Sequence, residues 1–263
     1  MRAVDGEKQV AVSITAAAQS DIGRVRKSNQ DAFGVAPDVR LYVVCDGMGG
    51  AAGGEIASHL AVDAFIASFR AASHRGASVE GPQRSANALY QAALAANAAV
   101  LARADAEPAL NGMGSTLVAA HVESERVHLV NVGDSRAYLL RDDDCLQLTV
   151  DHSYLEEQVR LGYMTRAAAD ASPMQSVITR AVGIQEGFEP DLSRVEVVDG
   201  DIILLASDGL TRHVDAPAIA QIVNGEAGRE ASLVACCKAL VDAALERGGS
   251  DNITCALIQI AID

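Results

Sequence analysis

Three acidic residues in this 263-residue chain stand where a carboxylate can hold a cation at the end of a buried strand. Asp46 closes the apolar run Leu41–Cys45, Asp208 closes the run that begins at Ile203, and Asp251 precedes the last apolar run within Gly248-Gly249-Ser250-Asp251-Asn252. An Asp-Gly pair after an apolar strand is a common turn, so Asp46-Gly47 and Asp208-Gly209 taken singly read as structural. Taken with Asp251, they can converge at one edge of a sheet sandwich. Their hard oxygens would then select magnesium or manganese over zinc or copper. Like charges so close together are costly without cations.

The glycine-rich run from Asp46 to Gly54 lets backbone approach a ligand closely before a helix begins. Gly47, Gly49 and Ala52 also fit the loose dinucleotide pattern G-x-G-x-x-A, which raises a nicotinamide-dependent oxidoreductase as a rival reading. Against it, Asp46 would face a pyrophosphate with like charge, and no βαβ unit with an acidic ribose contact follows. Other phosphate chemistries fail by absence. The chain has no Gly-Lys dipeptide for a Walker loop and no cysteine followed six positions later by arginine. Water activated by metal ions is left as the natural attacking group.

With 35 acidic against 21 basic residues the formal charge is −14, so most of the surface would repel a nucleic-acid backbone. Nucleic acid is not expected as a partner. Five cysteines (Cys45, Cys145, Cys236, Cys237, Cys255) form neither a C-x-x-C pair nor a zinc pattern with histidine, which fits a reducing, cytoplasmic setting. After Glu7-Lys8, the stretch Gln9–Ala18 alternates Val10, Val12 and Ile14 and reads as a first strand, not an export signal. No apolar run approaches the roughly 18 to 20 residues that span a bilayer, so no membrane insertion is expected.

The elements that must position these residues are mostly short β-branched runs: Leu41–Cys45, Ser115–Val122, Arg126–Val132, Ser135–Leu140, Arg194–Val198, Asp201–Ala206 and Asn252–Ile260. Tight turns at Glu123–Glu125, Gly133-Asp134, Asp142–Asp144 and Asp199-Gly200 predict antiparallel meanders. Helical periodicity marks Gly54–Phe69, Ser85–Arg103 and Ser232–Glu246, with a loop over Ser73–Arg84. The pattern predicts an α+β layered domain of antiparallel sheets flanked by helices. Residues 151–190 break the strand rhythm with a short helix at Tyr154–Leu161, a cap at Thr165 and Pro173, and read as an insertion near the site.

Eight motifs occur in one order: Gly23-Arg24-Val25-Arg26-Lys27-Ser28-Asn29-Gln30-Asp31, Val44-Cys45-Asp46-Gly47-Met48-Gly49-Gly50, Gly112-Met113-Gly114-Ser115-Thr116, Val132-Gly133-Asp134-Ser135-Arg136-Ala137, Thr149-Val150-Asp151-His152-Ser153, Ile178-Thr179-Arg180-Ala181-Val182-Gly183, Ala206-Ser207-Asp208-Gly209 and Ser250-Asp251-Asn252-Ile253-Thr254. From about Ala16 onward the chain thereby resembles the protein phosphatase 2C family, in its compact bacterial form. The resemblance implies one catalytic domain over residues 1–263, an αββα sandwich of two packed antiparallel sheets with helix pairs outside and a flap at 151–190. It implies a centre of two Mn2+ or Mg2+ ions that hydrolyses phosphoserine and phosphothreonine in proteins, a Ser/Thr kinase or its substrates among them. Asp46 would bridge the ions, the Gly47 carbonyl would bind one, and Asp208 and Asp251 would ligate the other. Asp31 would act through bound water, and Asp134 would help hold a weaker third ion. Arg26 is assigned to the substrate phosphate, since a guanidinium can grip two phosphoryl oxygens at once. Arg26, Asp46, Asp208 and Asp251 therefore form the expected catalytic set.

Two positions depart from the family pattern. Met48 and Ala51 stand where family members carry histidines, so the acid that protonates the leaving group is unassigned. His152 is read as stabilising a turn. The rival of another class is a silent phosphoprotein-binding module on the same fold, which would require loss of the ligand carboxylates or of Arg26, and none is lost.

Overall fold

The computed structural model describes residues 11–50, 52–74, 82–225 and 231–262. One sheet has the order β1 (Val12–Asp21), β11 (Ile253–Ile262), β10 (Ile202–Ala206), β7 (Arg136–Arg141), β8 (Asp144–Gln147). The other runs β2 (Asp31–Ala36), β3 (Leu41–Met48), β5 (Leu117–Glu123), β6 (Arg126–Val132), β9 (Asp191–Glu196), with the short β4 (Gly114–Ser115) pairing to β3. Every strand pairing among the described residues is antiparallel. This excludes the βαβ unit that the dinucleotide pattern would need.

Side chains alternate across each strand, and here both faces are covered. Leu41, Val43 and Cys45 of β3 pack under α1 (Gly53–His74) and α2 (Pro82–Ala106), whereas Tyr42 and Val44 point into the space between the sheets. In β10, Leu204 and Ala206 meet α6 (Ala216–Asn224) and α7 (Leu233–Glu246), and Ile203 and Leu205 fill the inter-sheet core. The result is the expected αββα sandwich. With no tryptophan, bulk under α1 comes from the buried Phe65 and Phe69, each contributing about 1.5–3 kcal/mol by burial. Ala92, Ala93 and Ala96 bring α2 close.

The structure departs from the sequence reading in its connections. Glu123–Glu125 and Asp142–Asp144 do close hairpins, β5 to β6 and β7 to β8. The turns at Gly133-Asp134 and Asp199-Gly200 instead carry the chain from one sheet to the other, because β6 and β9 belong to one sheet and β7 and β10 to its partner. Local turn chemistry is the same in both cases and does not say which sheet receives the next strand. Asp46-Gly47 is no turn either: β3 continues through it to Met48. The first strand begins at Val12, and Gln9 and Val10 lie outside the described residues. Much of the predicted loop at Ser73–Arg84 also lies outside them, while α1 extends to His74 and α2 starts at Pro82.

Residues 151–190 carry α3 (Tyr154–Arg160), capped by Ser153, and α4 (Arg166–Asp170), capped by Thr165 whose side chain accepts from Ala168 N. A bridge from Ser153 to Ile178 closes this insertion on itself, and one from Ser115 to Val182 fastens it to the sandwich. Among the described residues no helix is long and apolar enough to cross a membrane.

Candidate active site

The register of β2 on β3 sets Asp31 directly opposite Asp46. From the facing sheet, β10 ends at Ala206 and delivers Ser207 and Asp208, and β11 starts at Ile253 immediately after Asp251 and Asn252. Two strand ends from each sheet thus meet at one end of the sandwich, around a cavity of about 670 Å3. Arg26, Asp46, Gly47, Asp134, Asp208 and Asp251 line it. Asp31 stands behind this lining, 4% exposed, with one oxygen accepting from Ser207 Oγ at 2.8 Å. Each residue expected to do chemistry is therefore brought to one place.

Backbone hydrogen bonds hold Asp46 still. Thr116 N donates to Asp46 O at 2.8 Å, Ser115 Oγ donates to the same carbonyl at 3.0 Å, and Asp46 N donates to Thr116 Oγ1 at 2.9 Å. Gly47 is demanded by close approach: a Cβ there would lie 2.0 Å from Gly54 O. Across the cavity, Asn252 clamps the loop that carries Arg26. Its Nδ2 donates to Ile22 O at 2.9 Å and Ser28 O at 3.0 Å, and its Oδ1 accepts from Gln30 N at 2.8 Å. Ser115, Thr116, Ser207 and Asn252 stand inside the sequence motifs without a role assigned there, and their polarity beside apolar runs is the signal that marks them.

Arg26 Nη2 donates to Asp251 Oδ2 at 2.7 Å while the side chain stays half exposed at the cavity mouth. The hydrogen bond to Asp251, with added attraction from Asp46 and Asp208, holds its proton more tightly than usual. Arg212 pairs with Asp208 in the same way. Burial followed by mutual repulsion pushes Asp31 up to about 7 and Asp134 up to about 7, and raises Asp46 well above the ordinary carboxylate range. Asp208 is raised by burial and by Asp251, with Arg212 opposing. Burial likewise raises the Cys45 thiol, which makes it inert as a nucleophile.

The donor set is all oxygen, which suits a hard divalent cation. Asp31 Oδ1 and Asp208 Oδ1 are buried with no hydrogen-bond partner, and a buried anionic oxygen left bare calls for a positive charge. Among the described residues no three His, Cys, Asp or Glu side chains are gathered in ligating geometry. The carboxylates are instead shared with Arg26 and Arg212. The residues fit a cation centre whose ligands must turn from arginine to bind.

Among the described residues no histidine lines this cavity. Met48 does, and Ala51 lies outside the described residues. His152 is 4% exposed, and its Nδ1 accepts from Gly133 N at 3.1 Å. That bond leaves the proton on Nε2, which faces Asp191 Oδ2 at 3.1 Å. His152 thus steadies the crossing from β6 to β7, where Gly133 has φ +102 and packs against Thr116. A bidentate pair, Arg136 Nε and Nη2 on Asp151, ties β7 to the start of the insertion.

Residues 17–253 match the family pattern described as Protein phosphatase 2C. The chain belongs to the protein phosphatase 2C family. Curated members similar to it include the serine/threonine protein phosphatase PstP of Mycobacterium tuberculosis, 36% identical over 96% of this chain and 46% of that protein. Another is the serine/threonine phosphatase stp of Listeria innocua, 33% identical over 92% of this chain and 94% of its own. This chain spans about half the length of the mycobacterial relative. Among solved structures, the catalytic domain of PstP in complex with two manganese ions superposes with a TM-score of 0.79 at 33% identity, covering 95% of this chain and all of that one.

Proposed function

We propose that this chain is a catalytic domain that hydrolyses phosphoserine and phosphothreonine in proteins with two divalent cations, manganese or magnesium. The observation that carries the reading is the convergence of Asp31, Asp46, Asp208 and Asp251 from both sheets at one cavity with Arg26 at its mouth. Family membership and a manganese-loaded structural relative support it. Asp46 and the Gly47 carbonyl, Asp208 and Asp251 would hold the cations, with Asp31 positioned behind them and Asp134 at a weaker third position. When bound, the cations supply a water acidic enough to attack phosphorus at neutral pH.

The chain's own residues do the rest. With Asp251 holding a cation, the Arg26 fork would be free to bind two phosphoryl oxygens of the substrate. Asn252 keeps that fork on station by holding the loop at three points. Ser207 keeps Asp31 oriented by its hydrogen bond. In-line displacement by water leaves no covalent enzyme intermediate. The insertion at 151–190 stands beside the cavity, with Ser176 and Ile178 in its wall, and would influence which phosphoprotein enters. A Ser/Thr kinase or its substrates, in a bacterial cytoplasm, is the partner class this chemistry suits.

A silent binding module finds no support, since each ligand carboxylate and Arg26 are present. Acid quenching of a radiolabelled phosphothreonine peptide during turnover tests the mechanism. We expect label in inorganic phosphate and none on the protein; protein-bound label would replace direct water attack with a covalent route.

A further inference from the structure

Arg212 belongs to none of the sequence motifs, yet it sits at the centre of the charged residues. The helix α5 spans only Asp208–Thr211, with Arg212 at its C-terminal cap donating its N–H to Asp208 O at 2.9 Å. One helical turn therefore returns the Arg212 guanidinium to the carboxylate that opens the helix. Nη2 pairs with Asp208 Oδ2 and lies 3.8 Å from Asp134 Oδ2. These two carboxylates come from separate parts of the chain, the start of α5 and the crossing from β6 to β7. Asp134 is 7% exposed, and the second oxygen of Asp208 is buried with no partner.

Arg212, Asp134 and Asp208 also line two cavities at once: the one of about 670 Å3 described above and a second of about 520 Å3 bordered by α3 and α4. A single guanidinium thus stands in the partition between them, and the second cavity gives the side chain room to withdraw. A guanidinium and a divalent ion that seek the same oxygens exclude one another, because each needs those lone pairs and each neutralises the same charge.

We propose that Arg212 is a built-in competitor for the weaker cation position: its guanidinium takes, between Asp134 and Asp208, the place of a third divalent ion, so a third ion enters only when the arginine leaves. The inference rests on reading Asp46, Asp208 and Asp251 as ion ligands, and adds that the chain's own cation sets how many ions bind.

Manganese titration of metal-stripped protein, followed by calorimetry and by the electron-paramagnetic signal of free ion, counts ions without reference to turnover. Wild type should bind two ions tightly and a third weakly. Arg212→Ala should tighten the third by at least about tenfold, and Arg212→Lys should stay near wild type because the charge remains. In Arg212→Ala combined with Asp134→Asn the tightened third ion should disappear. Arg212→Gln keeps bulk and polarity without charge and is measured alongside, with thermal melts, so that loss of the α5 cap in one variant does not decide the matter. A third ion bound equally well by wild type and by the uncharged variants would overturn the proposal, as would tightening that survives loss of Asp134. Absence of any manganese binding to wild type would instead overturn the carboxylate centre itself, an outcome distinct from failure at Arg212 alone.

Discussion

Arg26 and Asp251 form an ion pair whose two members are each assigned elsewhere, one to phosphate and one to a cation. A point charge cannot replace the fork, so Arg26→Lys should recover only part of the activity lost in Arg26→Ala. For Arg26→Ala we expect kcat/KM on a phosphothreonine peptide to fall roughly 10- to 100-fold, the equivalent of charge-assisted hydrogen bonds of about 1.5–3 kcal/mol, with no large change in thermal stability. Wild-type kcat/KM in that variant would withdraw the assignment. Cys45→Ser should leave a metal-dependent enzyme, since the buried thiol is held protonated; loss of chemistry with folding and metal content intact would point to a covalent mechanism. Asp46, Asp208 and Asp251 were legible at this scale because strand-end Asp-Gly pairs and Gly-Gly-Ser-Asp stand out against apolar runs, whereas Asp31 and Asp134 were assigned by the family resemblance alone. Arg212 was not legible, because its role depends on a one-turn helix, Asp208–Thr211, that is too short to leave a periodic signal.

The clamp made by Asn252 couples two elements far apart in sequence, the start of β11 and the loop before β2. Asn252→Ala removes the partners of Gln30 N, Ile22 O and Ser28 O at a site only 4% exposed. We expect a loss of about 1–3 kcal/mol in stability together with a raised KM, as the loop bearing Arg26 loosens; a denaturant melt and steady-state kinetics measure both. An unchanged KM would show that Arg26 is placed by something other than this clamp. Strands buried on both faces, such as β10 with Ile202-Ile203-Leu204-Leu205-Ala206, declared themselves as continuous apolar runs, and β6 was read with its observed bounds, Arg126–Val132. β2 did not declare itself, because Gly34 and alanines form the face it turns to α1, while Phe33 and Val35, on the opposite face of this edge strand, stay exposed. The edge strand β8 was missed because four residues are too few for periodicity to register; the helix α6 was missed although Asp215 caps it and Ile219, Ala220 and Val223 carry a helical spacing. Which sheet a strand joins was invisible locally, as the turns at Gly133 and Gly200 show.

At the scale of the molecule, the folded chain gathers carboxylates that burial and mutual repulsion hold protonated well above their ordinary range. Asp31 and Asp134 titrate near 7 when folded, against about 3.9 in an unfolded chain. The folded state therefore binds more protons between those values, and this contribution to stability is complete below about pH 4 and lost as pH rises through about 7. Metal-stripped protein should melt at a lower temperature near pH 8 than near pH 5, and manganese should remove most of that difference by neutralising the same oxygens. Calorimetry of the stripped and loaded forms measures both curves. A melting temperature that climbs over that interval without metal would mean the carboxylates are not the repelling cluster described.

Phosphate release from phosphoserine and phosphothreonine peptides, before and after complete metal removal, tests the carboxylate centre most directly. The stripped enzyme should be inactive, manganese or magnesium should restore it, zinc should do so poorly, and Asp208→Asn should stay inactive with reduced bound metal. Full activity in excess chelator, with elemental analysis confirming that no metal remains, would contradict it.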